Sequence, residues 1–165
     1  MKTTCQTPSS CGGRGFTVLE LLIVVAIVGI LANLALPAFR VAMLRARATA
    51  IVGDFRVIET AAKQYYADTA KFPPEGAVGM EPTELAPYIQ GRVRWDRGPK
   101  AYRLAWENWS RSGTTRCRHA STRVRIGISI VTTDKELVAM LVKVSPKPFY
   151  YTLANTYTYV VEPCS

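Results

Sequence analysis

Glu20 is the residue whose surroundings most constrain its chemistry. It is the one carboxylate in an apolar run that begins abruptly after Gly15; from Leu21 to Phe39 no side chain is charged and only Asn33 is polar. A carboxylate in lipid needs a counter-charge or takes up a proton, so an acid inside a membrane-length segment marks a functional site with a partner. Other reactive side chains are poorly assembled. His119 is the single histidine, and Cys5, Cys11, Cys117 and Cys164 include no C-x-x-C spacing, so neither a metal site nor a thioredoxin-type pair is suggested. With no phosphate loop, nucleophile elbow or metal-ligand spacing, catalysis is not expected and no cofactor is implied.

Charge supplies a second candidate. The chain of 165 residues carries a net +9, and between Arg92 and Arg125 nine arginines and one lysine stand against Asp96 and Glu107. Trp95, Trp106 and Trp109 lie in the same stretch. Basic side chains interleaved with aromatics can hold single-stranded nucleic acid by backbone attraction and base stacking. The candidate polyanion surface is Arg92, Arg94, Arg97, Lys100, Arg103, Arg116, Arg118, Arg123 and Arg125. A solvated basic face matched to acidic neighbours is the plainer account, with the tryptophans as core or interface anchors.

The elements that must position these residues follow from periodicity. Phe16 to Phe39 is 24 residues, roughly 36 Å as a helix, enough to cross a hydrocarbon core of roughly 30 Å. A cleaved secretory signal would be shorter and followed by a small-residue site, whereas this segment runs straight into an amphipathic pattern. A plain signal-anchor leaves Glu20 unexplained. Gly29 and Pro37 mark the weak stretch, one a poor helix former and the other lacking the N–H that the Asn33 carbonyl would accept. Beyond it, Ile51, Phe55, Ile58, Ala62 and Tyr65 recur at helical spacing, and the helix should end near Tyr66 to Ala70, before Phe72-Pro73-Pro74. Residues 71–100 read as a Pro/Gly-rich loop with a short helical turn over Glu81 to Ile89. Strands are expected at Tyr102–Trp106, Arg123–Ile130 and Thr156–Val161, and a turn at Thr132–Asp134 is expected to lead into a hairpin strand over Leu137–Val144.

The run Arg14-Gly15-Phe16-Thr17-Val18-Leu19-Glu20, with its apolar continuation, resembles the prepilin signature of type IV pilins and type II secretion pseudopilins. The similarity covers about residues 14–66 and is most specific over the first 24 of them. It implies an α+β fold: a long N-terminal helix packed on a small antiparallel β-sheet head. The implied divisions are a removed leader (1–15), a transmembrane and assembly helix (16–39), its amphipathic second half (40–70), the loop (71–100) and the head (101–165). A prepilin peptidase would cut between Gly15 and Phe16, and Phe16 would be N-methylated. Glu20 would then meet the Phe16 amino group of a neighbouring subunit, while Gly29 and Pro37 take the family's helix-loosening positions.

The resemblance also implies partners and place. These are identical or related pilin subunits in a helical polymer, the peptidase, and an assembly platform in the bacterial inner membrane, with one membrane pass and the head in the periplasm. Cleavage would remove Cys5, Cys11, Lys2 and Arg14, leaving a charge of +7. Cys117 and Cys164 could then pair, as in many type IV pilins, closing a loop of about 48 residues worth roughly 4 kcal/mol; two unpaired buried thiols are the alternative. The staple looks more like pilins, whereas Tyr65-Tyr66-Ala67-Asp68 and Phe72-Pro73-Pro74 look more like secretion pseudopilins. A filament subunit is the leading function, with a DNA-binding minor pilin or a lone membrane-anchored sensor as alternatives.

Overall fold

The structure is a computed structural model that describes residues 15–98, 101–110 and 124–164. They fall into two compact units that meet in sequence between Arg40 and Val41.

In the first unit Gly15, Phe16 and Thr17 precede the helix, and α1 (Val18–Thr69) begins at the next residue. The helix passes through Gly29 and Pro37 without interruption. In the second unit α1 becomes one-sided: Ala48, Ile51, Phe55, Ile58 and Ala62 are buried, while Arg56 and Lys63 are exposed. It stops where Ala70 turns left-handed at φ 56° and donates to Tyr66 O at 2.8 Å, two residues ahead of Phe72-Pro73-Pro74.

A four-stranded antiparallel sheet completes the second unit. Its strands are β1 (Arg103–Asn108), β2 (Val124–Val131), β3 (Phe149–Leu153) and β4 (Thr156–Pro163), in spatial order β1-β2-β4-β3. Alternation sends Leu104, Trp106, Ile126, Ile128, Ile130, Tyr159 and Val161 into the same core as the buried stripe of α1. Registers agree, with Trp106 opposite Ile128, Ile128 opposite Tyr159 and Tyr159 opposite Phe149. Phe55 fills the centre, its ring centroid 5.1 Å from Tyr159 and 5.8 Å from Phe149. At Gly127 the strands close so tightly that an added Cβ would lie 2.4 Å from Thr158 Cγ2.

The loop after α1 holds the short α2 (Ala86–Ile89), within the expected helical turn. It also lies along β1: Gly76 N donates to Trp106 O, Gly79 N to Leu104 O and Leu104 N to Trp95 O, at 2.7–2.9 Å. Pro73 O accepts from Trp106 Nε1 at 3.2 Å and Asn108 Nδ2 at 2.6 Å.

One expected element is corrected. Residues after the Thr132–Asp134 turn form α3 (Lys135–Val144), not a hairpin strand. Asp134 Oδ1 accepts from Leu137 N at 2.9 Å and caps the helix, and Leu137, Val138 and Leu141 bury one face. A cap plus an i, i+1, i+4 apolar set outweighs the strand preference of three valines. The strand count is met instead by β3, which joins β4 through Ala154 and Asn155; Asn155 adopts φ 60°, a conformation asparagine tolerates.

Candidate functional site

The start of α1 is a local, self-contained arrangement. Thr17 N and Thr17 Oγ1 each donate to Glu20 Oε2 at 2.9 Å, and Glu20 N donates back to Thr17 Oγ1 at 3.2 Å. This is a reciprocal capping box, in which a threonine and a glutamate three residues on satisfy each other's backbone donors. Glu20 therefore has a partner within its own chain, while its side chain stays exposed. The T-x-x-E spacing carried that signal, which a reading of Glu20 as an isolated acid passes over. Gly15 and Phe16 lie just outside the helix, with Phe16 80% exposed.

From Phe16 to Phe39 every large apolar side chain is at least half exposed. An all-round apolar helix of this length is buried by lipid or by neighbouring helices rather than by water. Its mean hydropathy reaches 2.6 over an 18-residue window, in keeping with a membrane span. Gly29 and Pro37 both lie inside this stretch.

The basic candidates divide. Arg92 donates to Ile89 O and Tyr88 O, both at 3.0 Å, closing the end of α2. Arg125 pairs with Glu162 across β2 and β4 and lies over the Phe72 ring. Arg97 covers the Tyr102 ring at 5.8 Å, Arg94 is exposed and Arg103 half-buried. Lys100, Arg116, Arg118 and Arg123 lie outside the described residues, as do Cys117 and His119. Trp95 and Trp106 are core residues at 5% and 0% exposure, which removes two of the three expected stacking rings from the surface. Cys164 follows β4 directly.

A charged cluster inside the head had no counterpart in the sequence reading. Glu59, on the buried side of α1, accepts from Lys63 Nζ at 2.6 Å, Lys147 Nζ at 2.7 Å and the Tyr159 hydroxyl at 3.2 Å. Burial pushes its pKa up, but the hydrogen bonds from Lys147 and Lys63 outweigh this and hold it below the ordinary carboxylate value. Tyr159 is pushed up to about 12 by burial and by the adjacent Glu59 charge. Lys147 and Tyr159 lie 88 and 100 positions from Glu59, so only the Lys63 contact was within reach of local spacing.

Comparison with known proteins places this architecture. The type II secretion system core protein G of Klebsiella pneumoniae is 30% identical over 97 residues, 58% of this chain and 69% of that protein. The chain belongs to the type IV pilin and pseudopilin family. The type IV major pilin protein PilE1 of Neisseria gonorrhoeae is 42% identical over 88 residues, 52% of this chain and 49% of the pilin. Fimbrial protein EcpC of Eikenella corrodens is 35% identical over 81 residues, 48% of this chain and 53% of the relative. The chain thus spans about half the length of these pilin and fimbrial relatives. No family model and no solved structure matches it. The α+β pilin fold expected from the prepilin-like motif, a long apolar helix continuing into a four-stranded antiparallel head, is the fold observed.

Proposed function

We propose that this protein is a structural subunit of a type IV pilus-like or type II secretion pseudopilus filament, matured by cleavage between Gly15 and Phe16, N-methylated at Phe16 and assembled from the inner membrane. The observation that carries the reading is the uncovered apolar half of α1, whose first turn presents Glu20. A surface of that kind is suited first to lipid and then to the packed helices of like subunits. The junction lies in non-helical, exposed chain, as a peptidase substrate requires.

In this scheme cleavage turns the Phe16 nitrogen into an amine. Glu20 of one subunit meets that amine on its neighbour, either through Oε1 or by giving up its Thr17 contacts. A Cys117–Cys164 bridge would fasten the C-terminus; in support, Pro163, the residue before Cys164, pairs with Val124, seven positions after Cys117. The polyanion reading has less support, because Trp95 and Trp106 are buried and Arg92 and Arg125 are engaged within the fold.

Mass spectrometry of protein from cells with the peptidase should show a chain beginning at methylated Phe16; an intact leader there would overturn the reading. For assembly the test is Glu20→Gln, which keeps shape and removes charge. Breaking one member of a buried pair costs on the order of 3–5 kcal/mol, so filaments should disappear while folded monomer stays in the membrane. Filaments at normal yield would remove the charge-pairing mechanism.

A further inference from the structure

Strand β3 ends the sheet opposite β1, and its pairing shows which backbone groups that edge offers. Val160 N donates to Pro148 O at 3.4 Å. From there Phe149 lies opposite Tyr159, Tyr150 opposite Thr158 and Tyr151 opposite Tyr157. Bonded and non-bonded pairs alternate along an antiparallel ladder, so Tyr150 turns its N–H and C=O toward β4, while those of Phe149 and Tyr151 point away from it. Among the described residues nothing takes them up. The open stretch is bounded on both sides: Lys147 N and O both bond Ser145 Oγ, and the register shifts between Tyr151 and Leu153.

The side chains there are uncovered as well. Tyr150 is 36%, Tyr151 66% and Leu153 72% exposed. No side chain from Pro148 to Val161 is charged. Edge strands are ordinarily blunted by charges, prolines or bulges; here Pro148 and the bulge stand at the two ends and the middle is bare.

A second copy of the same strand fits this edge. Antiparallel pairing centred on Tyr150 sets Phe149 opposite the second copy's Tyr151, and Tyr151 opposite its Phe149, so outward groups meet outward groups. Tyr150 then meets its own counterpart across a non-bonded pair, an aromatic cross-strand contact. The N–H that Pro148 lacks is not needed, since that position faces β4. Charge agrees: Lys147, held by Glu59 at 2.7 Å, comes opposite Leu153 rather than another lysine. We propose that two copies of this chain pair head to head through β3, joining their sheets across a two-fold axis. The contact is far smaller than the roughly 1,200 Å² of a stable complex, so it is brief and needs the copies held close. For that nearness the proposal rests on the membrane-anchored subunit reading.

A disulfide trap tests it. Non-bonded antiparallel partners stand about 4.5 Å apart at Cα, within disulfide reach. In oxidised membranes from cells expressing the full chain, Tyr150→Cys should give at least about fivefold more covalent dimer than Leu153→Cys. Position 153 is more exposed, but in this register it lies roughly 20 Å from its counterpart. Both are read against the parent chain, so that native cysteines cancel. Adding Tyr151→Pro, which deletes an outward N–H and spares β4, should abolish the dimer. If that variant loses the parent circular dichroism, Tyr151→Lys at the same exposed position gives the comparison. Equal trapping of the two cysteine variants would show random collision and overturn the proposal. So would a dimer that survives Tyr151→Pro in a folded head, or a Tyr150→Cys chain that links only to a different protein. A chain matured at Phe16 that yields no dimer loses the pairing alone, whereas a trapped dimer of chains with an intact leader keeps the pairing and loses the subunit reading.

Discussion

The two parts of α1 use apolar side chains in opposite ways. Before Arg40 they surround the helix and none is buried; after Val41 the buried ones form one stripe, fully covered at Phe55 and Ile58. The same backbone geometry therefore serves two solvents. A stripe commits a helix to one protein core, whereas an all-round apolar surface leaves its packing partners open, which is what the proposed move from lipid into a polymer would require.

Substitution should separate the two regimes sharply. Phe55→Ala removes a ring packed on Phe149 and Tyr159 and should cost the head about 3–5 kcal/mol, read by denaturation of the full chain followed through tryptophan fluorescence. Leu22→Ala should shift the same transition by less than about 0.5 kcal/mol. Comparable losses from both would break the distinction.

The next effect in size belongs to Glu59. Glu59→Gln weakens the contacts of Lys147, Lys63 and Tyr159 and should cost about 1–3 kcal/mol. Because the folded pKa lies below the unfolded value, the parent's extra stability is present above about pH 4.3 and is lost as pH falls through the folded pKa. Melting curves between pH 7 and pH 2 should show that acid limb in the parent and a flatter one in the variant. At the other end of the scale, Tyr159 titrates at about 12 when folded and about 10 when unfolded. Its contribution is complete below pH 10 and declines as pH rises toward 12. Tyr159→Phe should cost about 0.5–1.5 kcal/mol at neutral pH and lack this alkaline decline; a variant that keeps it would place the titration elsewhere.

Capping gives the smallest contrast. Asp134→Ala should lower head stability by about 1 kcal/mol. Thr17→Ala should leave head melting unchanged and speed hydrogen exchange only over the first turn, around Glu20 and Leu21.

The apolar helix at the start of α1 was legible because its run needs no tertiary information, although the equally local Thr17–Glu20 capping box was passed over. The helix end was readable from Phe72-Pro73-Pro74, and β1, β2 and β4 from alternation. Elsewhere local cues competed. Val138, Val142 and Val144 read as strand residues until Asp134 is recognised as a cap, and Phe149–Leu153 lay hidden behind Lys147-Pro148, although Asn155 between two aromatic runs was a turn signal. Of the Glu59 cluster only the i, i+4 contact of Lys63 was within reach, since tertiary packing alone brings Tyr159 and Lys147 to that turn of α1.

The loop lying along β1 has a consequence for a chain confined to a membrane. Anchored heads share a plane, where encounters are frequent and an open strand edge is a template for unwanted sheet growth. At β1 that edge is shut: Trp106 O and both backbone groups of Leu104 are already taken by Gly76, Gly79 and Trp95. If the chain polymerises as proposed, subunits that collide at β1 find those groups taken, which leaves β3 as the sheet's other edge.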